Sequence, residues 1–122
     1  MKVFIIEDVE EMRILLEDAL KVDFEVMGSA PSIMEARSAF FKDLPQVLLL
    51  DEILPGESSV DFLQEMFESR IGVVLMTRVE NPKHAIPDGA LGRIQKPGFR
   101  NLSHDLKRFC DEVRIILQKV QS

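Results

Sequence analysis

Four short apolar runs punctuate the chain: Val3–Ile6, Glu25–Met27, Val47–Leu50 and Val73–Met76. None alternates apolar with polar residues, so they read as strands covered on both faces rather than half-solvated ones. The segments between them carry helical periodicity. Met12, Leu15, Leu16, Ala19 and Leu20 recur at three and four residues and predict an amphipathic helix over 9–21. Ile33, Ala36, Ala39 and Phe40 predict a second between Ser32 and Lys42, and Val60, Leu63, Met66 and Phe67 mark a third. The last is drawn most sharply: Leu102, Leu106, Phe109, Val113, Ile116, Leu117 and Val120 form one stripe, with Lys107, Arg108, Asp111 and Arg114 off it. Asn81–Gly92 holds Pro82, Pro87, Gly89 and Gly92, which predicts one helical turn at most, then a short strand near Leu91–Ile94. Strands alternating with helices imply crossover connections and a parallel α/β sheet with helices on both faces. No repeat or linker interrupts the pattern, and 122 residues suit one domain, 1–122.

Composition narrows the possibilities. With 46% hydrophobic and 30% charged residues the chain can build a core, which excludes wholesale disorder. Its 15 Lys+Arg against 21 Asp+Glu give a formal charge of −6, which argues against nucleic acid or an anionic membrane as a direct partner. No apolar run approaches the roughly 20 residues of a membrane-spanning helix, and the amino terminus meets Glu7 and Asp8 too soon for a signal peptide. A single cysteine, Cys110, rules out an internal disulfide framework. A cytoplasmic location is expected. The charge is uneven: residues 1–61 hold 14 acids and 5 bases, residues 62–122 hold 7 acids and 10 bases. Such a division suits a cation site in the first half and a polar contact surface in the second, or ordinary solvated surface throughout.

In an open parallel sheet, chemistry gathers at the carboxyl ends of the strands. There stand Glu7 and Asp8, Asp51 and Glu52, Thr77, and Lys96 followed by Pro97. Carboxylates forced together repel unless a cation compensates them. Hard oxygen donors without His or Cys select Mg²⁺ over zinc, and a lysine and a hydroxyl opposite them suit phosphoryl oxygens. The set reads as a Mg²⁺-dependent site in which a carboxylate accepts a phosphoryl group. Each member also has an ordinary explanation: Asp8 with Glu11 fits a helix capping box, Asp51 and Thr77 can simply end strands, and Lys96 can be a surface lysine.

The sequence resembles the receiver domain of two-component response regulators, from Val3 to about Val120. The markers are Val3-Phe4-Ile5-Ile6-Glu7-Asp8 with Met12-Arg13 after it, Val47-Leu48-Leu49-Leu50-Asp51-Glu52-Ile53-Leu54-Pro55-Gly56, Thr77, and Lys96-Pro97. Pro55-Gly56 and Gly89-Ala90 are similar to receivers of the chemotaxis methylesterase type. The resemblance implies a flavodoxin-like, doubly wound five-stranded sheet of order 2-1-3-4-5. It implies that Asp51 takes phosphoryl from a histidine kinase or histidine phosphotransfer protein, and that Mg²⁺ is held by Asp8, Asp51 and the Ile53 backbone carbonyl, with Glu7 acting through water. Lys96 would pair with a phosphoryl oxygen, its bond to Pro97 cis, and Thr77 would report the phosphoryl group to a downstream protein.

The chain also departs from that family. Three positions before the lysine, where the family has an aromatic switch residue, stands Arg93, which would exchange salt-bridge partners on the outer face instead. Arg78 occupies a position where the family has a small residue, and would screen small phosphodonors or attract phosphoryl groups. Ile53 and Val79 are apolar where the family borders the path of the hydrolytic water, which predicts slow self-dephosphorylation. The Thr77–Lys96 interval is short, so the fourth helix should be short or irregular and the chain a monomer or weak dimer. Ser59 stands where the family has glycine; it is strained if the backbone there needs positive φ, unless Ser58 or Ser59 caps the third helix. Met27, Met34, Met66 and Met76 are expected to fill core, Cys110 to be a buried small residue, and His84 and His104 to have no chemical role. These departures support an alternative function, a constitutive interaction module binding through an Arg78–Arg100 face. A phosphohydrolase of the haloacid dehalogenase kind fails because Ile53 stands where it needs a second aspartate.

Overall fold

A computed structural model describes residues 1–78 and 84–121, with side chains through Lys119. The apolar runs form five parallel strands, β1 (Lys2–Ile6), β2 (Glu25–Ala30), β3 (Val47–Asp51), β4 (Gly72–Thr77) and β5 (Gly92–Gln95), in the order β2-β1-β3-β4-β5. Four helices alternate with them: α1 (Glu10–Leu20), α2 (Ile33–Phe40), α3 (Ser59–Glu68) and α4 (Leu102–Gln121). The continuous runs are explained by where they lie. Every residue of β3 is buried, and β1 and β4 are buried from their second residue onward.

Alternate side chains of the strands enter two cores. Val3, Ile5, Leu49, Val74, Met76 and Ile94 meet Met12, Leu16 and Leu20 of α1 and Phe109, Val113 and Leu117 of α4. Phe4, Ile6, Leu48, Leu50, Val73 and Leu75 meet Ile33 and Ala36 of α2 and Phe62, Leu63 and Met66 of α3. With β1 and β3 adjacent and in register, Ile6 opposite Leu50, the residues that follow them emerge side by side at one edge.

Several expectations needed revision. β2 is twice as long as its apolar core suggested, because as an edge strand it tolerates exposed Glu25 and half-buried Gly28 and Ser29. The buried face of α3 is Ser59, Phe62, Leu63 and Met66; Val60 and Phe67 point to solvent. Met34 is exposed too, while Met66 and Met76 are core. None of the described residues between β4 and β5 is helical, in keeping with the prolines and glycines there. Val79 and the Val120 side chain lie outside the described residues. No helix among the described residues is long and apolar enough to cross a membrane.

Candidate phosphoacceptor site

Lys96 is the centre of the site. Its Nζ donates to Glu7 Oε1 at 2.8 Å, Glu7 Oε2 at 2.9 Å and Asp51 Oδ2 at 2.7 Å. All three side chains are buried: Glu7 is 0% exposed, Asp51 4% and Lys96 6%. The lysine comes from the end of β5 and the two acids from the ends of β1 and β3, so only the assembled sheet makes the triad. Its backbone is tied in as well, Lys96 N–H donating to the Thr77 carbonyl at 2.7 Å. The Lys96–Pro97 bond is trans, not cis as expected; trans is the form an X–Pro bond prefers by about 0.5–1 kcal/mol.

Two acids facing one cation cannot both be ordinary carboxylates. Burial, with Asp51 beside it, raises the Glu7 carboxyl to about 7 against the opposing pull of Lys96. Asp51 moves the other way: burial pushes its carboxyl up, but hydrogen bonding with Glu7, with Lys96 and with the Ile53 N–H prevails and holds it below the ordinary value. The Ile53 N–H donates to Asp51 Oδ1 at 3.1 Å. The buried acid that keeps its negative charge most firmly is thus the one facing the cleft.

That cleft, about 290 Å³, is lined by Asp8, Asp51, Glu52, Ile53, Thr77, Arg78 and Lys96 among others. Asp8 is exposed at its rim. It does not cap α1, whose N-cap is Val9 with no side-chain hydrogen bond, so the capping-box explanation is set aside. Carboxylate oxygens of Glu7, Asp8 and Asp51 lie within 4.8 Å of one another. Such a cluster of hard oxygen donors with one lysine among three acids fits a divalent cation of the Mg²⁺ class. Lys96 engages both Glu7 oxygens, and each Asp51 oxygen accepts one bond, from Lys96 or from the Ile53 N–H, so a cation would use their remaining lone pairs together with exposed Asp8.

No protein-family model matches the chain. Among curated proteins, the chemotaxis protein CheY of Halobacterium salinarum is 28% identical over 101 residues, covering 79% of this chain and 84% of that protein. The protein-glutamate methylesterase/protein-glutamine glutaminase of Agrobacterium fabrum is 32% identical over 100 residues. The alignment covers 80% of this chain but 28% of that enzyme, so the chain spans under a third of its length. Among solved structures, the response regulator domain of Thermotoga maritima CheB superposes with a TM-score of 0.80 at 21% identity, covering 100% of this chain and 97% of that one. The chain is a receiver-domain homologue. The receiver domain of nitrogen regulatory protein C, with a TM-score of 0.74 at 22% identity, has the same fold.

Within this fold the positions expected from sequence come together: Glu7, Asp8, Asp51, Ile53, Thr77, Arg78 and Lys96 all line the cleft or the triad at its floor. Thr77 is buried at the end of β4, whereas Arg78 is exposed and borders this cleft and a second one beyond Lys96. The Ile53 side chain is 80% exposed at the mouth. Arg93 differs from expectation. It is not on the outer surface: its side chain is 8% exposed and is bonded to Glu52 through Nε. The β5 register sets Arg93 opposite Leu75, on the sheet face away from Ile94, from which it reaches Glu52 just past the end of β3.

Three supports were not legible beforehand. The Arg13 guanidinium donates to the Glu7 carbonyl at 2.9 Å. The buried Ser59 hydroxyl donates to the Asp51 carbonyl at 2.8 Å, which fixes the end of β3 to the start of α3. Ser59 has no positive φ, so no strain attends its replacing a glycine; Ser58 caps α3, its hydroxyl accepting from the Asp61 N–H at 3.2 Å. Finally, Leu54-Pro55-Gly56-Glu57 makes a tight turn, Gly56 at φ 71°. Glu57 then reaches α2, accepting from the Ile33 and Met34 N–H groups at 2.8 and 3.1 Å.

Proposed function

We propose that this receiver is a phosphorylation-dependent signalling switch. Asp51 accepts a phosphoryl group from a cytoplasmic histidine kinase or histidine phosphotransfer protein, and the change is presented to a downstream protein. The observation that carries this reading is the buried Lys96 bridging Glu7 and Asp51, with Asp8 beside them at a cleft wide enough for a phosphoryl group. An Asp51 oxygen attacks the phosphorus, the phosphorus–nitrogen bond to the donor histidine breaks, and the leaving imidazole takes up a proton. Asp51 suits the attack because it stays ionised at neutral pH.

Asp8, Asp51 and the Ile53 carbonyl are the groups that would hold Mg²⁺, with Glu7 acting through water. When bound, the ion offsets the charge of roughly −2 that the acyl phosphate brings. Lys96 is placed to move from the carboxylates to a phosphoryl oxygen, and Thr77 to donate its hydroxyl to another. Ile53, apolar and exposed at the mouth, offers water no hydrogen bond, which favours a long-lived phosphoaspartate.

Acetyl phosphate and Mg²⁺, with intact mass as the readout and Asp51→Asn as control, test the reading. One added phosphoryl group that is absent in the control is expected. No Asp51-dependent adduct from acetyl phosphate, from phosphoramidate or from a phosphorylated histidine kinase would overturn it and leave the constitutive interaction module as the better account.

A further inference from the structure

Arg93 pairs with Leu75 in the β4–β5 register, on the opposite sheet face from Ile94, which belongs to the α1–α4 core. A guanidinium so little exposed keeps its charge and requires an anion. Glu52 is that anion. It follows Asp51 directly in the chain and lines the same cleft. The rest of the guanidinium faces backbone: Nη1 donates to the His84 carbonyl at 2.6 Å and Nη2 to the Ala85 carbonyl at 3.4 Å. Those carbonyls lie in exposed, non-helical chain, so the guanidinium is the group that ties this stretch to β5. One rigid, planar group therefore joins the neighbour of the nucleophile to the segment that leads into β5.

We propose that the Glu52–Arg93 pair is the relay that passes the state of Asp51 to the 84–91 segment. The proposal rests on the phosphorylation reading above and names its internal output. A phosphoryl group adds an anion of roughly −1.5 to −2 beside Glu52. Two anions then compete for one cation of fixed geometry. Arg93 shifts toward the site and loosens its hold on the His84 and Ala85 carbonyls, and the segment opens. A lysine at this position could not serve, since a single ammonium cannot span a carboxylate and two carbonyls as the guanidinium fork does.

Hydrogen exchange by mass spectrometry, on peptides covering 84–91, tests the relay in the full chain before and after treatment with acetyl phosphate and Mg²⁺. Intact mass is read on the same samples. In the wild type, phosphorylation should speed exchange of these peptides several-fold. In Arg93→Gln they should exchange fast from the outset and change little on phosphorylation, while the mass shift on Asp51 is retained. Arg93→Lys, which keeps the charge and guards against misfolding of the first variant, should lose the response in the same way. Phosphorylated wild type with unchanged 84–91 exchange, or an undiminished response in both variants, would overturn the relay alone. A wild type that gains no phosphoryl mass from acetyl phosphate or from a phosphorylated histidine kinase would overturn the proposed function and the relay with it.

Discussion

Replacing Lys96 by methionine keeps the bulk of the side chain and removes its charge, leaving Glu7 and Asp51 face to face in the protein interior. Three hydrogen bonds of 2.7 to 2.9 Å are lost at once. Removing one partner of a buried ion pair costs about 3–5 kcal/mol, a large share of the roughly 5–15 kcal/mol that holds a typical domain folded. The cost must also depend on pH. Glu7 already has its folded pKa raised to about 7. The stability associated with such a group is fully present below the ordinary carboxyl value, is lost as pH rises through 7, and is then constant. In the variant Lys96 no longer pulls against burial, so Glu7 stays protonated to higher pH and the loss continues at about 1.4 kcal/mol per pH unit where the wild type has levelled off. The gap between variant and wild type therefore widens from pH 6 to pH 8. With no Trp and no Tyr in the chain, urea unfolding is followed by far-ultraviolet circular dichroism, in the absence of Mg²⁺. A variant whose midpoint matches the wild type, or whose deficit is the same at both pH values, would refute the reasoning.

Mg²⁺ and protons compete for the same carboxylates, so affinity measured by calorimetry should fall below pH 7, by up to about tenfold per unit; a flat profile would remove Glu7 from the ion's surroundings. Ser59→Ala deletes the 2.8 Å bond to the Asp51 carbonyl and should cost about 1 kcal/mol in the same urea assay, with slower uptake of phosphoryl from acetyl phosphate. Ile53→Asn places a water-binding group at the exposed mouth and should shorten the phosphoaspartate lifetime several-fold, measured as decay of the added mass; an unchanged lifetime would show that Ile53 does not limit hydrolysis.

Sequence carries some of these features and not others for definite reasons. β1, β3 and β4 were legible because strands buried on both faces leave no polar positions to blur them. The site was legible because its members end strands, and strand ends of a parallel sheet share an edge. The face of α3 was not: Val60, Phe62, Leu63, Met66 and Phe67 spread over a wide arc, and only the packed sheet selects Phe62 over Phe67. The partner of Arg93 was hidden for a related reason. Glu52 is 41 residues away, and nothing local distinguishes an arginine that stays in solvent from one folded inward over an acid. Ser59 drew notice only as a possible cap or point of strain, since its bond to Asp51 exists only when α3 docks against β3.

The contact of Glu57 with α2 bears on the order in which the molecule assembles. Eight residues are too few for a helix to persist by itself in water. Its first two amides find their acceptor in a carboxylate lying 24 and 23 residues further along, on a turn that takes its position from the end of β3. A nascent chain that has emerged only as far as Phe40 thus has a provisional α2. The helix becomes permanent when the strand bearing Asp51 has paired and its turn has closed, so a folding intermediate with α2 formed and β3 unpaired should not accumulate.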